Sequence, residues 1–96
     1  MNVASINALA EDRLAMAMVA RSGRSSVTVY GRTGARLRQT VVALAPERVM
    51  GKHKSPGDGS LLCLQGRVML RADQSNTELG PGDLVAVPPQ RHAVEA

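Results

Sequence analysis

From residue 27 onward the chain is a succession of short β-forming runs cut by turn signals, and that alternation limits the fold more than any other feature. The runs are Val27–Gly31 (VTVYG), Leu37–Leu44 (LRQTVVAL), Ser60–Leu64 (SLLCL), Arg67–Ala72 (RVMLRA) and Asp83–Pro88 (DLVAVP). Between them stand Ala45-Pro46, Ser55–Gly59 (SPGDG), Gln65-Gly66 and Gly80–Asp83 (GPGD). Short strands and turns in such regular order point to a β-sandwich or barrel. Gln65-Gly66, set between two strands, reads as a tight hairpin in which the glycine supplies the positive φ of a two-residue turn. The LVAV segment is apolar on both alternate faces and reads as a strand covered on both sides.

The first residues have a different character. In Ser5–Ala20 (SINALAEDRLAMAMVA) Ser5 is a suitable N-cap, and Ile6, Leu9, Ala10, Leu14, Ala17 and Met18 recur at helical spacing. That stripe predicts an amphipathic helix, packed either on its own domain or on a second subunit. Arg21–Ser26 (RSGRSS) breaks the pattern. The expected organisation is a helical arm over residues 1–22 and one β-domain over residues 23–96, with no repeat or low-complexity tract.

At 96 residues the chain holds one modest core, and with no Phe, no Trp and a single tyrosine, Tyr30, that core is aliphatic. Met16, Met18, Met50 and Met69 are expected as core filling. Ten arginines and two lysines against eight acids give a net charge of +4. Nucleic acid is nevertheless not the expected partner: the arginines are spread along the sequence, and one tyrosine makes no stacking platform. They read as solvated surface or as partners of an acidic ligand or subunit. The lone Cys63 excludes an intrachain disulfide and, between leucines, reads as a small buried hydrophobe. No basic-then-apolar leader opens the chain and no apolar run nears the roughly 18 residues of a membrane span, so a soluble, cytoplasmic protein with no membrane partner is expected.

Three pieces then stand in order: His53 with its Pro/Gly turn, the apolar LLCLQGRVML, and LGPGDLVAVPPQRHAVEA near the end. Over about residues 37–96 this order resembles the cupin superfamily, and the last two pieces resemble the strand-turn-strand and closing hairpin of a small single-domain type-2 cupin. The helix followed by SGRSSVTVYG further resembles a group of short bacterial cupin proteins. The resemblance implies an all-β fold, the cupin jelly-roll barrel or double-stranded β-helix, carrying one amino-terminal α-helix.

It also implies a metal site, and the motifs depart from it. The first cupin motif, G-x5-H-x-H-x3-E-x6-G, anchored on Gly66, places His53 at the first histidine, Ser55 at the second, Gly59 at the glutamate and Glu47 at the first glycine. In the second, G-x5-P-x-G-x2-H, Gly82 and Pro88 are in place, Gln90 replaces a glycine, and His92 comes one residue early. Two histidines remain of a set of four ligands, whereas a catalytic centre takes three or four imidazole or carboxylate donors. Asp58, one residue off the glutamate position, is the best third donor, with Glu47 another. His53, Ser55, Cys63, Gln90 and His92 are therefore candidate pocket residues, and His53, His92 and Asp58 candidate ligands for a weakly held divalent Zn, Mn, Fe or Ni. Lys52, Lys54 and Arg91 flank the histidines; facing the barrel mouth they would suit the pocket to an anion, and alternating outward they would be solvated. The expected function is binding of a small anionic molecule; the alternative is a metal-dependent cupin enzyme of isomerase, dioxygenase or decarboxylase type. Cupins of this kind continue past a segment like HAVEA into one more apolar strand, so the last strand reads as truncated and a homodimer is expected to cover the resulting edge.

Overall fold

The computed structural model describes residues 1–32, 34–53, 59–73, 75–87 and 91–96, with the backbone alone at 52 and 53. Its contacts gather into two compact units, Met1–Pro46 and Glu47–Ala96.

In the first unit, helix α1 spans Ile6–Val19. Ser5 begins it in an extended conformation, its hydroxyl accepting the Ala8 amide at 3.3 Å, and Ala20 ends it by donating to the Met16 carbonyl at 3.0 Å. Strands β1 (Arg24–Tyr30) and β2 (Gln39–Leu44) pair antiparallel, Ser25 opposite Ala43 and Val27 opposite Val41. The helix packs on both strands of its own chain. Its buried seam is Ala10 and Ala17, with Leu9 and Leu14 half-buried. Alanine lets the helix approach closely, and Met18, about 80° round the helix from Ala10, stays exposed, as do Ile6 and Met16. The expected stripe is thus narrower than its apolar letters, and two of the expected core methionines face water.

The second unit carries six strands: β3 (Val49–His53), β4 (Ser60–Leu62), β5 (Val68–Ala72), β6 (Ser75–Leu79), β7 (Leu84–Ala86) and β8 (His92–Glu95). They form a four-stranded sheet in the order β3-β8-β5-β6 and a two-stranded sheet β4-β7. β8 comes back from the far end of the chain and lies between β3 and β5, antiparallel to both, a return of Greek-key kind. The sheet core is Leu70, Leu79, Ala93 and Val94.

Two expectations about this region are corrected. Gln65-Gly66 is a corner between sheets and not a hairpin, because β4 pairs with β7 while β5 pairs with β6 and β8; the positive φ of Gly66, 70°, is present. The LVAV strand is not covered on both sides. Leu84 is 66% exposed opposite Leu62, also exposed, while Val85 between Leu84 and Ala86 turns inward, so the β4-β7 ribbon has one wet face despite its apolar letters. β6 was not among the expected runs, and β3, at His53, and β8, in the closing segment, were expected only through the resemblance.

This inside-outside assignment has a direct measure. Leu70→Ala, at a site 4% exposed, is expected to cost about 2–5 kcal/mol in urea unfolding. Leu84→Ala is expected to change stability by about 0.5 kcal/mol or less; a large loss there would put Leu84 in the core.

Candidate ligand-binding site

The site is set by strand register. Along β3 and β8, Met50 lies opposite Val94 and His53 opposite His92, three steps on one strand against two on the other. The extra residue is a bulge, and it restores the two-residue parity that a simple slip would lose. It brings the backbone positions of the two histidines side by side. On its other edge His92 lies opposite Ala72, and Ala72 lies opposite Ser75 on β6. The row His53, His92, Ala72, Ser75 therefore crosses all four strands, followed by the parallel row Met50, Val94, Leu70, Thr77.

A cavity of about 120 Å³ lies over the β5-β6 end of these rows, lined by Leu70, Ala72, Ser75 and Thr77 from the sheet and by Val85 and Ala86 from β7; His92 is not among its lining residues. Its volume matches about four water molecules at roughly 30 Å³ each, enough for a carboxylate or phosphate group and far below the roughly 300 Å³ of a drug-sized pocket. Among the described residues, Ser75 and Thr77 are the lining residues with polar side chains. His92, next to Ala72 in the row, is 4% exposed and is the one buried polar side chain among the described residues.

The opposite face of the same sheet carries a wider groove of about 420 Å³, lined by Glu47, Arg67, Met69, Arg71, Glu78 and Glu95 among others. Its charges neutralise one another: Arg67 lies 3.6 Å from Glu78, and Arg71 pairs with Glu95. Exposed pairs of this kind contribute about 0–1 kcal/mol each. Glu47 enters the groove from a left-handed backbone, φ 69°, uncommon for a residue with a Cβ. This places Glu47 on the groove and not on the inner cavity, where a carboxylate ligand to the histidines would be needed.

Of the other sequence candidates, Ser55, Asp58 and Gln90 lie outside the described residues, as do Lys54 and Pro88-Pro89. Arg91 is exposed. Cys63 is buried at the end of β4 and lines neither cavity. Its thiol lies 3.6 Å from the carbonyls of Gln65 and Gly66, bracing the corner, while its amide donates to Asp83 at 3.0 Å and its carbonyl accepts from Gly82 at 2.8 Å. The GPGD turn beyond closes on itself, Asp83 donating its amide to the Gly80 carbonyl and accepting the Gly80 amide on its carboxylate at 2.8 Å. Among the described residues no three His, Cys, Asp or Glu side chains assemble to hold a metal. The donor set of a catalytic metal centre is not met by them. Ser75 and Thr77 were missed in the sequence, where only the alternation Ser75, Thr77, Leu79 along a polar strand marks one face.

No family model and no curated protein matches the sequence. Among solved structures the chain is similar to a cupin superfamily protein from Desulfitobacterium hafniense, with a TM-score of 0.71 and 24% identity over 88% of this chain and 77% of that one. That likeness establishes the fold: a mostly β cupin fold with one helix.

Burial raises the Cys63 thiol above its ordinary 9.0, and the Asp83 carboxylate adds to the shift, against lowering contributions from the Gln65 backbone and Arg67. Because the folded state holds this proton more tightly, the stabilisation is complete below pH 9.0 and is lost as pH rises through the higher folded value. Urea unfolding of the parent protein is therefore expected to weaken above pH 9 more steeply than that of Cys63→Ser. Parallel pH profiles would contradict the burial of this thiol.

Proposed function

We propose that this cupin-fold chain binds a small anionic molecule in the cavity over the four-stranded sheet, and that any divalent metal there is held weakly. The observation that carries the reading is the row His53, His92, Ala72, Ser75 running beside a small cavity whose lining, among the described residues, contains two hydroxyl-bearing residues and no carboxylate. Hydroxyl and imidazole N–H groups donate to an anion, and charge-assisted bonds of this kind are the stronger sort. Glu47, one of the two carboxylates that could complete a cation site, lies on the opposite face. The cavity admits one charged group of a ligand, so recognition rests on a carboxylate or phosphate with the remainder outside. Binding without turnover suits a sensory or accessory role in the cytoplasm, with a second copy of the chain as partner.

Calorimetric titration with acetate, inorganic phosphate and a short dicarboxylate tests this. Saturable binding is expected, and His92→Gln and Ser75→Ala are each expected to weaken it about tenfold, the worth of one hydrogen bond to a charged group. Protein isolated without added metal is expected to carry much less than one metal ion per chain. Stoichiometric Fe, Mn, Ni or Zn, lost in both His53→Ala and His92→Ala, would replace this reading with that of a metal-dependent cupin enzyme.

A further inference from the structure

The net positive charge is not spread over the fold. Residues 1–46 hold six arginines against two acids, whereas residues 47–96 hold six cations against six acids, so the whole excess of +4 belongs to the first unit. Half of those six arginines, Arg32, Arg36 and Arg38, lie in the connection between β1 and β2, which contains no acid. All three are exposed, and the ion pairs among the described residues involve only Arg67 and Arg71.

This connection has a built shape. The Ala35 amide donates to the Arg32 carbonyl at 2.9 Å, closing a turn at its tip. At its neck Gly31, φ 84°, lies so close to Leu37 that a Cβ would collide with the Leu37 carbonyl, so only glycine lets the two sides approach. Leu37, between Arg36 and Arg38, is 64% exposed. The segment before α1 is fastened to the base of the same loop, the Tyr30 hydroxyl donating to the Asn2 carbonyl at 2.8 Å, and its Val3 is exposed as well.

The geometry points to a membrane-surface contact: the arginine loop Gly31–Arg38 docks the first unit on an acidic lipid surface, with Leu37 entering the headgroup boundary between its flanking guanidiniums. Arginine forks match phosphate and carboxylate headgroups in a bidentate manner. Phosphates of a nucleic acid would satisfy the same arginines, but the exposed Leu37 between two of them gains nothing from a duplex surface, and residues 31–38 have no aromatic ring to stack on a base. Lipid offers both the anion and the apolar layer. No spanning segment is involved, and no described helix is long and apolar enough to cross a membrane.

Co-sedimentation of the full chain with phosphatidylcholine vesicles, with and without phosphatidylserine, tests the contact. Binding is expected only with phosphatidylserine and is expected to fall as salt rises. Each Arg→Gln change at 32, 36 or 38 should weaken it about fivefold, and the triple variant on the order of a hundredfold. Leu37→Ser should leave the salt dependence intact and weaken binding at every salt concentration. Circular dichroism of the variants should match the parent, because every substituted side chain is exposed. Absence of binding to phosphatidylserine vesicles would overturn the inference. So would binding that the triple variant retains, or tight binding of a DNA duplex that Leu37→Ser does not alter while vesicles are ignored.

Discussion

Everything in the second unit depends on β8 having partners on both edges. A strand of four residues, His92–Glu95, supplies the middle of a sheet whose neighbours, β3 and β5, are far from it in sequence. His92, Ala93 and Val94 are buried, so their amides and carbonyls are satisfied by ladder bonds to those neighbours or lose the hydrogen bonds that water would give. That requirement fixes which residues face each other. Val94 completes the apolar row with Met50 and Leu70, and His92 is carried into the interior by the same pairing that carries Val94. A buried histidine here is thus a consequence of register, and the bulge in β3 is the local adjustment that keeps His53 level with it.

The same sheet separates two chemistries. Its inner rows are apolar with two hydroxyls and an imidazole, and its outer rows carry arginine and glutamate in mutual pairs. Strand alternation alone produces this division, since Leu70 and Ala72 fall on one face and Met69 and Arg71 on the other. With the outer groove neutral and the charge of residues 47–96 balanced, the net positive charge belongs to the first unit, half of whose arginines lie in the β1-β2 connection. The proposed ligand site and the proposed acidic-surface contact accordingly fall on different units of the chain.

Legibility in the sequence followed how much each element owes to local signals. Helix α1 was readable to within a residue because Ser5 caps it and no glycine or proline interrupts it. β1, β2, β4, β5 and β7 were marked by their apolar runs, whereas β6, SNTEL, is an edge strand buried only at Leu79 and offers hydropathy almost nothing to detect. β3 contains Gly51 and Lys52, and β8 is too short to show a period. The meaning of Gln65-Gly66 was not local: whether two strands joined by a tight turn pair with each other is decided by distant β7 and β8. His92, a candidate from its motif position, is buried in the row beside the cavity. Ser75 and Thr77 reach the cavity only because β6 pairs with β5, and the apolar flanks of Cys63 correctly signalled burial but not its place at a corner away from the cavity. Charge totals concealed the first unit's excess until the contacts divided the chain.

The register that sets His53 beside His92 can be tested by cross-linking. Directly opposed antiparallel residues have Cα atoms about 4.5–5.5 Å apart, within the range a disulfide spans. In a Cys63→Ser background, the pair His53→Cys and His92→Cys is expected to oxidise to an intramolecular disulfide, seen as a mass decrease and loss of thiol labelling, in folded protein at low concentration. Failure of that pair to close, with ready closure of Lys52→Cys and His92→Cys instead, would show that β3 runs without the bulge and that the two histidines do not share a row.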